Sequence, residues 1–163
     1  MKIYLCGPMT GLPQHNYPLF DRMAECFRHV GFEVVNPAET GRLMPSDSTW
    51  DDYMANAMEQ LRKCDAVVCL PGWQSSKGAR REVMWAECHN MDIRDAAWAL
   101  RNAYHWREHW QKERGIAPTP RFGPDSVDGL LIAHPVLAAA VRILLKAAST
   151  ATLAEWDEFR RTH

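Results

Sequence analysis

Glu82 is the residue whose type and neighbours in this chain point most directly to chemistry. It lies in the stretch DAVVCLPGWQSSKGARREVMWA, Asp65 to Ala86, where an apolar run from Ala66 to Leu70 is broken by Pro71-Gly72 and a polar turn from Gln74 to Lys77. A helical pattern follows, with Glu82 in its second turn. A strand that stops at a Gly-containing turn and re-enters as a helix is where an open α/β sheet builds a ligand site, because free backbone N–H groups collect there. A carboxylate inside that helix, beside the small residues Gly78 and Ala79, faces the crevice at the end of the strand. It suits attack on, or proton exchange with, a small polar ligand. The plainer alternative is a surface acid paired with Lys77 or Arg81, since Glu is an ordinary helix former.

The opening of the chain repeats this pattern. Lys2 to Cys6 is a short β-like run, and Gly7-Pro8-Met9-Thr10-Gly11 is a turn with two glycines. A helix follows, with Phe20, Met23, Phe27 and Val30 on one face. Phe32 to Val35 reads as a second strand, ended by Asn36-Pro37. Strand, loop, helix and strand in this order make a βαβ unit, which implies a parallel sheet with a right-handed crossover. The loop is not GxGxxG and lacks the Walker lysine pattern, so neither a dinucleotide site nor an NTPase is supported.

Three blocks in order, IYLCGPMTG with Asn16, Tyr17 and Phe20 after it, then EVVNPAE, then CDAVVCLPGWQSSKGARREVMWA, resemble the nucleoside 2-deoxyribosyltransferase-like superfamily. Within it, the likeness is to a group of small uncharacterised proteins frequent in bacteriophages and prophages. The resemblance implies an α/β fold: a flavodoxin-like, Rossmann-like parallel sheet of about five strands flanked by helices. It also implies cleavage of the N-glycosidic bond of a deoxynucleoside or deoxynucleoside 5′-monophosphate, by transfer or hydrolysis, without a metal or organic cofactor. By position, Glu82 matches the catalytic glutamate and Tyr4 an active-site tyrosine at the end of the first strand. Ser76 and Gly78 match the Ser and Gly that precede the glutamate and contact the ligand.

Ligand contacts are also expected from Gly7, Pro8, Met9, Thr10 and Gly11 in the first loop, from Asn16, and from Gly72, Ser75 and Ala79 around the second. The amides of Ser75 to Ala79 would orient hydroxyl or phosphate oxygens at the helix start. Two positions depart from the family pattern. The aspartate usual eight residues before Asp65 is Ala57 here, and the Ser and Arg of the nucleotide-hydrolysing branch are replaced by Pro8 and Thr10.

Aromatic residues near the crevice carry two readings. Tyr4 is an ordinary core strand residue or a ligand contact. Trp50 and Tyr53 open a helix and either cap the sheet or stack on a base. Trp73 has the same ambiguity, and its place in the loop after the strand favours the ligand side. Asp65 is expected to hydrogen-bond near the strand start.

Composition fits one compact α/β unit with an appendage. The chain has 163 residues and a formal net charge of −1, with no Lys/Arg run, so no electrostatic footprint for a nucleic acid polymer is present. Five cysteines form no CxxC pair and fall mainly in apolar runs, which suggests reduced thiols in a cytoplasmic protein. A strand directly after Lys2 leaves no room for a signal peptide. The apolar stretch Leu130 to Ala148 contains His134, Pro135, Arg142 and Lys146, costly in a bilayer, so no membrane association is expected.

The division expected is an α/β domain over 1–93 and a helical extension over 94–163 that packs on the sheet or on a partner subunit. Asp95 to Glu113 reads as one helix with Ala99, Ala103, Trp106 and Trp110 on a stripe. A linker, Gly115 to Pro124, and helices from His134 to Ala148 and Leu153 to Arg161 follow. Trp98, Trp106 and Trp110 favour an interface, so the chain is expected to be a homodimer. His105, Glu108 and His109 satisfy H-x-x-E-H, the inverted zinc-peptidase pattern, but nothing else resembles that class and no metal site is expected. Two further readings stand beside the enzyme: a protein that binds a nucleotide without turning it over, and a helical interaction protein.

Overall fold

Period-2 alternation sorts the strand residues onto two faces, and both faces are covered. The computed structural model describes residues 1–118. Its sheet has four parallel strands, β1 (Lys2–Cys6), β2 (Glu33–Val35), β3 (Ala66–Cys69) and β4 (Asp92–Asp95), in the order β2-β1-β3-β4. This is the flavodoxin-type order, and the described sheet has four strands where about five were expected. Ile3, Leu5, Ala66 and Val68 point to one face, packed with α1 (Tyr17–His29), α5 (Ala96–Arg101) and α6 (Ala103–Glu113). Tyr4, Cys6, Val67 and Cys69 point to the other, packed with α3 (Trp50–Leu61) and α4 (Lys77–Cys88). The near-continuous burial of β1 and β3 is what two covered faces require.

The local signals for these elements are strong. Phe20, Met23 and Phe27 are buried on α1, and Asn36 caps α2 (Pro37–Gly41) by accepting from the Ala38 N–H at 2.9 Å. Thr49 and Asp52 form a capping box at α3. Asp65 accepts a hydrogen bond from the Lys2 N–H at 2.6 Å and so ties the start of β3 to that of β1.

The single helix expected over Asp95 to Glu113 is two helices, preceded by a strand that ends at Asp95. Asp92–Asp95 is a strand paired with β3, and the helix after it breaks at Asn102 into α5 and α6. Asp95 hid this boundary: it ends β4 and caps α5 by accepting from the Trp98 N–H at 2.8 Å. Of the expected stripe, Ala99, Ala103 and Trp106 are buried together in the core although they fall on two helices. Trp106 is buried against Phe32 and donates to Asp92 at 2.6 Å, covering its own sheet, whereas Trp98 is partly exposed on α5. The two expected C-terminal helices, and the linker from residue 119 on, lie outside the described residues. Among the described residues no helix is long and apolar enough to cross a membrane.

The α1–β2 turn is locked from α6. Gly31 has φ +87°, and a Cβ there would collide with Nη1 of the buried Arg107, which donates to the Val30 carbonyl. Gly31→Ala is therefore expected to cost on the order of 3 kcal/mol, backbone strain plus overpacking. Gly115→Ala, also at positive φ but with no atom near the added Cβ, should cost about 1 kcal/mol. Urea melts of the two variants check this contrast.

Candidate active site

Where β1 and β3 lie side by side, the chain leaves them in opposite directions: β1 feeds α1 on one face, and β3 feeds α4 on the other. Loops that diverge at such a switch point leave a crevice at the carboxyl ends of the strands. A cavity of about 330 Å³ occupies it, within the range of roughly 300–1,000 Å³ usual for small-molecule sites. Gly7, Met9 and Thr10 reach it from the loop after β1, and Trp50, Tyr53 and Met54 from α3. Ser76, Gly78, Ala79 and Glu82 reach it from the start of α4.

Two glycines let these segments come close. A Cβ on Gly7 would lie 2.9 Å from Leu70 Cβ and 3.2 Å from the Phe20 ring, and one on Gly78 would lie 3.2 Å from Met54 Sδ. Ser76 caps α4 by accepting from the Ala79 N–H at 3.3 Å. Of the amides from Ser75 to Ala79, those of Ser75, Ser76 and Ala79 are thus engaged locally. The N–H groups of Lys77 and Gly78, in the first turn, are those a helix start leaves for a ligand.

Glu82 is not a surface acid. It is 7% exposed, and its Oε1 accepts a hydrogen bond of 2.7 Å from the phenol of Tyr4, itself fully buried on β1. Burial pushes the Glu82 carboxyl up to about 7, against the opposing pull of hydrogen bonds from Cys6 and Tyr4. Cys6 has a single thiol hydrogen, and the geometry directs it to the Ala79 carbonyl at 3.5 Å, which leaves Tyr4 as the firm donor. Burial, with the Glu82 charge second, pushes the Tyr4 phenol well above its usual value, so it stays protonated and donating. The result is a carboxyl that changes charge near neutrality at the edge of a ligand-sized cavity. It can act as a nucleophile or a proton-exchanging group.

Gly7, Met9, Thr10, Trp50, Tyr53, Ser76, Gly78, Ala79 and Glu82, all expected at the site, line the cavity. Tyr4 meets it through Glu82. Pro8, Gly11, Asn16, Gly72, Trp73 and Ser75 do not line it. Trp73, expected on the ligand side, is 3% exposed and packs into the apolar cluster beneath α4 with Cys69 and Val83. A short 3-10 turn, Trp73–Ser75, rotates the indole inward. Ser75 Oγ donates to the Gly72 carbonyl at 2.8 Å, bracing that turn, and Asn16 braces the first loop by donating to the Pro8 carbonyl at 2.9 Å.

Sequence reasoning missed other lining groups. Pro37, Thr40 and Gly41 come from α2, which the Asn36-Pro37 signature could have revealed as a helix start. His15, Tyr17, Phe20, Met44 and Asn56 also line the cavity, as does Ala57. The wall is rich in aromatic rings, and the ammonium of Lys77 lies 4.8 Å over the ring of Trp50. Among the described lining residues Glu82 is the one carboxylate, and none is Lys or Arg. His105 and His109 are exposed on α6, away from the cavity, and no group of three or more His, Cys, Asp or Glu among the described residues could hold a metal ion.

Residues 1–95 match the family described as Domain of unknown function (DUF4406). No curated protein matches the sequence. A solved structure described as the solution structure of BlsM is similar to this chain at 20% identity, covering 93% of this chain and 96% of that one, with a TM-score of 0.48. A likeness that slight carries no argument about the site.

The raised carboxyl makes a prediction about stability. Between the unfolded value near 4.5 and about 7, the folded protein holds a proton that the unfolded chain releases. Glu82 therefore weakens the fold progressively as pH rises through that window, by roughly 3 kcal/mol once above it. Glu82→Gln keeps an acceptor for Tyr4 and never ionises. It should match the wild type near pH 4.5 and be the more stable protein at pH 8, as read from urea midpoints at the two pH values.

Proposed function

The chain belongs to the DUF4406 family, and we propose that it cleaves the N-glycosidic bond of a deoxynucleoside or deoxynucleoside 5′-monophosphate, with Glu82 as the nucleophile. The observation that carries this reading is the buried Glu82 carboxyl, held at 2.7 Å by Tyr4 at the edge of a cavity with aromatic walls. A carboxylate there attacks C1′ of the deoxyribosyl group while the C1′–N bond breaks, its electron pair leaving with the base. The transition state has oxocarbenium character, so a negative charge next to C1′ stabilises it. The resulting glycosyl ester then passes its sugar to water or to a second base, and Glu82 is regenerated. The phenol of Tyr4 fixes the carboxylate and favours its charged form. Trp50 and Tyr53, each a little over a third exposed, offer flat surfaces on which a base stacks.

A second reading rests on Ala57. The family pattern that the sequence resembles puts an acid at this position, and Ala57 lines the cavity. A pocket without that acid fits a protein that binds a nucleotide without turning it over. Incubation of the protein with a panel of deoxynucleosides and their 5′-monophosphates, with free base quantified by chromatography, separates the two. Released base supports the glycosidase; a rise in melting temperature without released base supports the binder. In the first case Glu82→Ala should lower turnover about a thousandfold or more, and near-normal turnover in that variant would remove Glu82 from the mechanism.

The pH profile offers a further check. The nucleophile must be ionised, so the acid limb of kcat/KM should follow Glu82 and lie at about pH 7. Tyr4→Phe withdraws a hydrogen bond from the charged form, and the acid limb should move upward by on the order of one pH unit. A limb that stays in place would show that the phenol does not act on Glu82.

A further inference from the structure

Resting on the glycosidase reading, we propose that His15 is the proton donor to the departing base. The reaction needs such a group. When the C1′–N bond breaks, the electron pair settles on the base, which leaves readily only if a ring nitrogen takes up a proton. Glu82 cannot supply it, since it must be ionised to attack. Ala57, which lines the same cavity, has no proton to give.

The other polar lining groups are hydroxyls (Thr10, Tyr17, Thr40, Tyr53, Ser76), the indole of Trp50 and the amide of Asn56. Groups of these kinds serve as hydrogen-bond donors, whereas imidazole is the side chain most often used as a general acid. Among the described residues, His15 is the one imidazole that lines the cavity.

Its placement is costly and well supported. Gln14, His15 and Asn16 have φ of +50°, +51° and +58°, three successive non-glycine residues in the left-handed region. Each costs on the order of 1 kcal/mol and persists only where the surroundings over-determine it. Here the Asn16 amide donates to the Pro8 carbonyl at 2.9 Å, and the His15 N–H donates to the Leu12 carbonyl at 3.0 Å. The imidazole rests against the ring of Tyr17, 5.5 Å between centroids. Tyr17 is in turn covered by the guanidinium of Arg42 at 4.6 Å, which is anchored to Asp21 by an ion pair of 2.6 Å. His15 is exposed to solvent, and the loop together with the Tyr17 ring keeps its imidazole among the residues that line the cavity.

The step balances as a double displacement. In the first half, Glu82 Oε bonds to C1′, the C1′–N pair goes to the base, and the imidazolium of His15 gives that base a proton and becomes neutral. In the second half, water attacks C1′ and gives a proton back to the imidazole. The C1′–Oε bond breaks, and its pair returns to Glu82 as carboxylate.

The test compares two leaving groups. 2′-Deoxyinosine releases a base that must be protonated, whereas 7-methyl-2′-deoxyguanosine already carries its positive charge on the base and needs no proton donor. Two variants are used: His15→Gln, and His15→Asn, which removes the imidazole while suiting left-handed backbone. Base release from 2′-deoxyinosine should fall about a hundredfold or more in both, with 7-methyl-2′-deoxyguanosine changed less than about threefold. An equal loss on both substrates makes His15 a binding or structural residue and overturns the proposal, as does no loss on either. If the wild type releases base from neither substrate, the glycosidase reading itself fails, and the proposal with it.

Discussion

A carboxyl group buried against a phenol requires an exact mutual placement of two strands and a helix, and the rest of this fold supplies it. Tyr4 is on β1, whereas Glu82 is in the second turn of α4, which follows β3. The 2.7 Å contact between them exists because β1 and β3 pair in a register that puts Tyr4 opposite Val67. A slip of one residue in that register would turn Tyr4 to the α1 face and leave Glu82 buried without its donor. Burying a charge unpaired costs several kcal/mol, so sheet register, helix placement and the ionisation of Glu82 are bound together. The Asp65 contact with the Lys2 N–H reinforces the same register from the opposite end of the strands.

The cavity divides its work between rigid and irregular parts. Its edge at Glu82 belongs to a helix whose opening turn is fixed by the Ser76 cap and by the close approach of Gly78 to Met54. Its walls come from α3, whose capping box sets where Trp50 and Tyr53 begin, and from α2, held by the Asn36 cap. The loop after β1 is different in kind. It carries three left-handed residues and is secured by local hydrogen bonds, from the Asn16 amide to the Pro8 carbonyl and from the His15 N–H to the Leu12 carbonyl. A preformed apolar and aromatic enclosure, with few polar groups converging on one carboxyl, is the usual composition of a small-molecule site. The lining also lacks Lys and Arg among the described residues, so electrostatic recognition of an anionic ligand would fall to helix-start amides and neutral donors.

The departures from the sequence reading share a cause: each involves residues whose roles depend on what lies opposite them. Asp92 to Asp95 has a charge at both ends and no apolar alternation, yet it forms a strand because β3 offers an unpaired parallel edge. Trp73 follows a strand, where ligand contacts gather, but a single 3-10 turn directs it into the core. His15 and Tyr17 lie in one segment of chain and the α2 residues in another, so no local pattern joins them into one set.

Local periodicity and turn chemistry were enough, from the sequence by itself, to determine the βαβ order, the parallel sheet, the apolar face of α1 and the placement of Glu82 at the head of a helix after a strand. Those features follow from interactions within a few residues, or from the handedness that short connections impose. Only the tertiary structure decided that Glu82 is buried, that Tyr4 is its partner, and that Ala57 and His15 face the same cavity. Burial and pairing depend on residues far apart in the chain, 78 positions for Tyr4 and Glu82. No local pattern records which of them the packed sheet brings together.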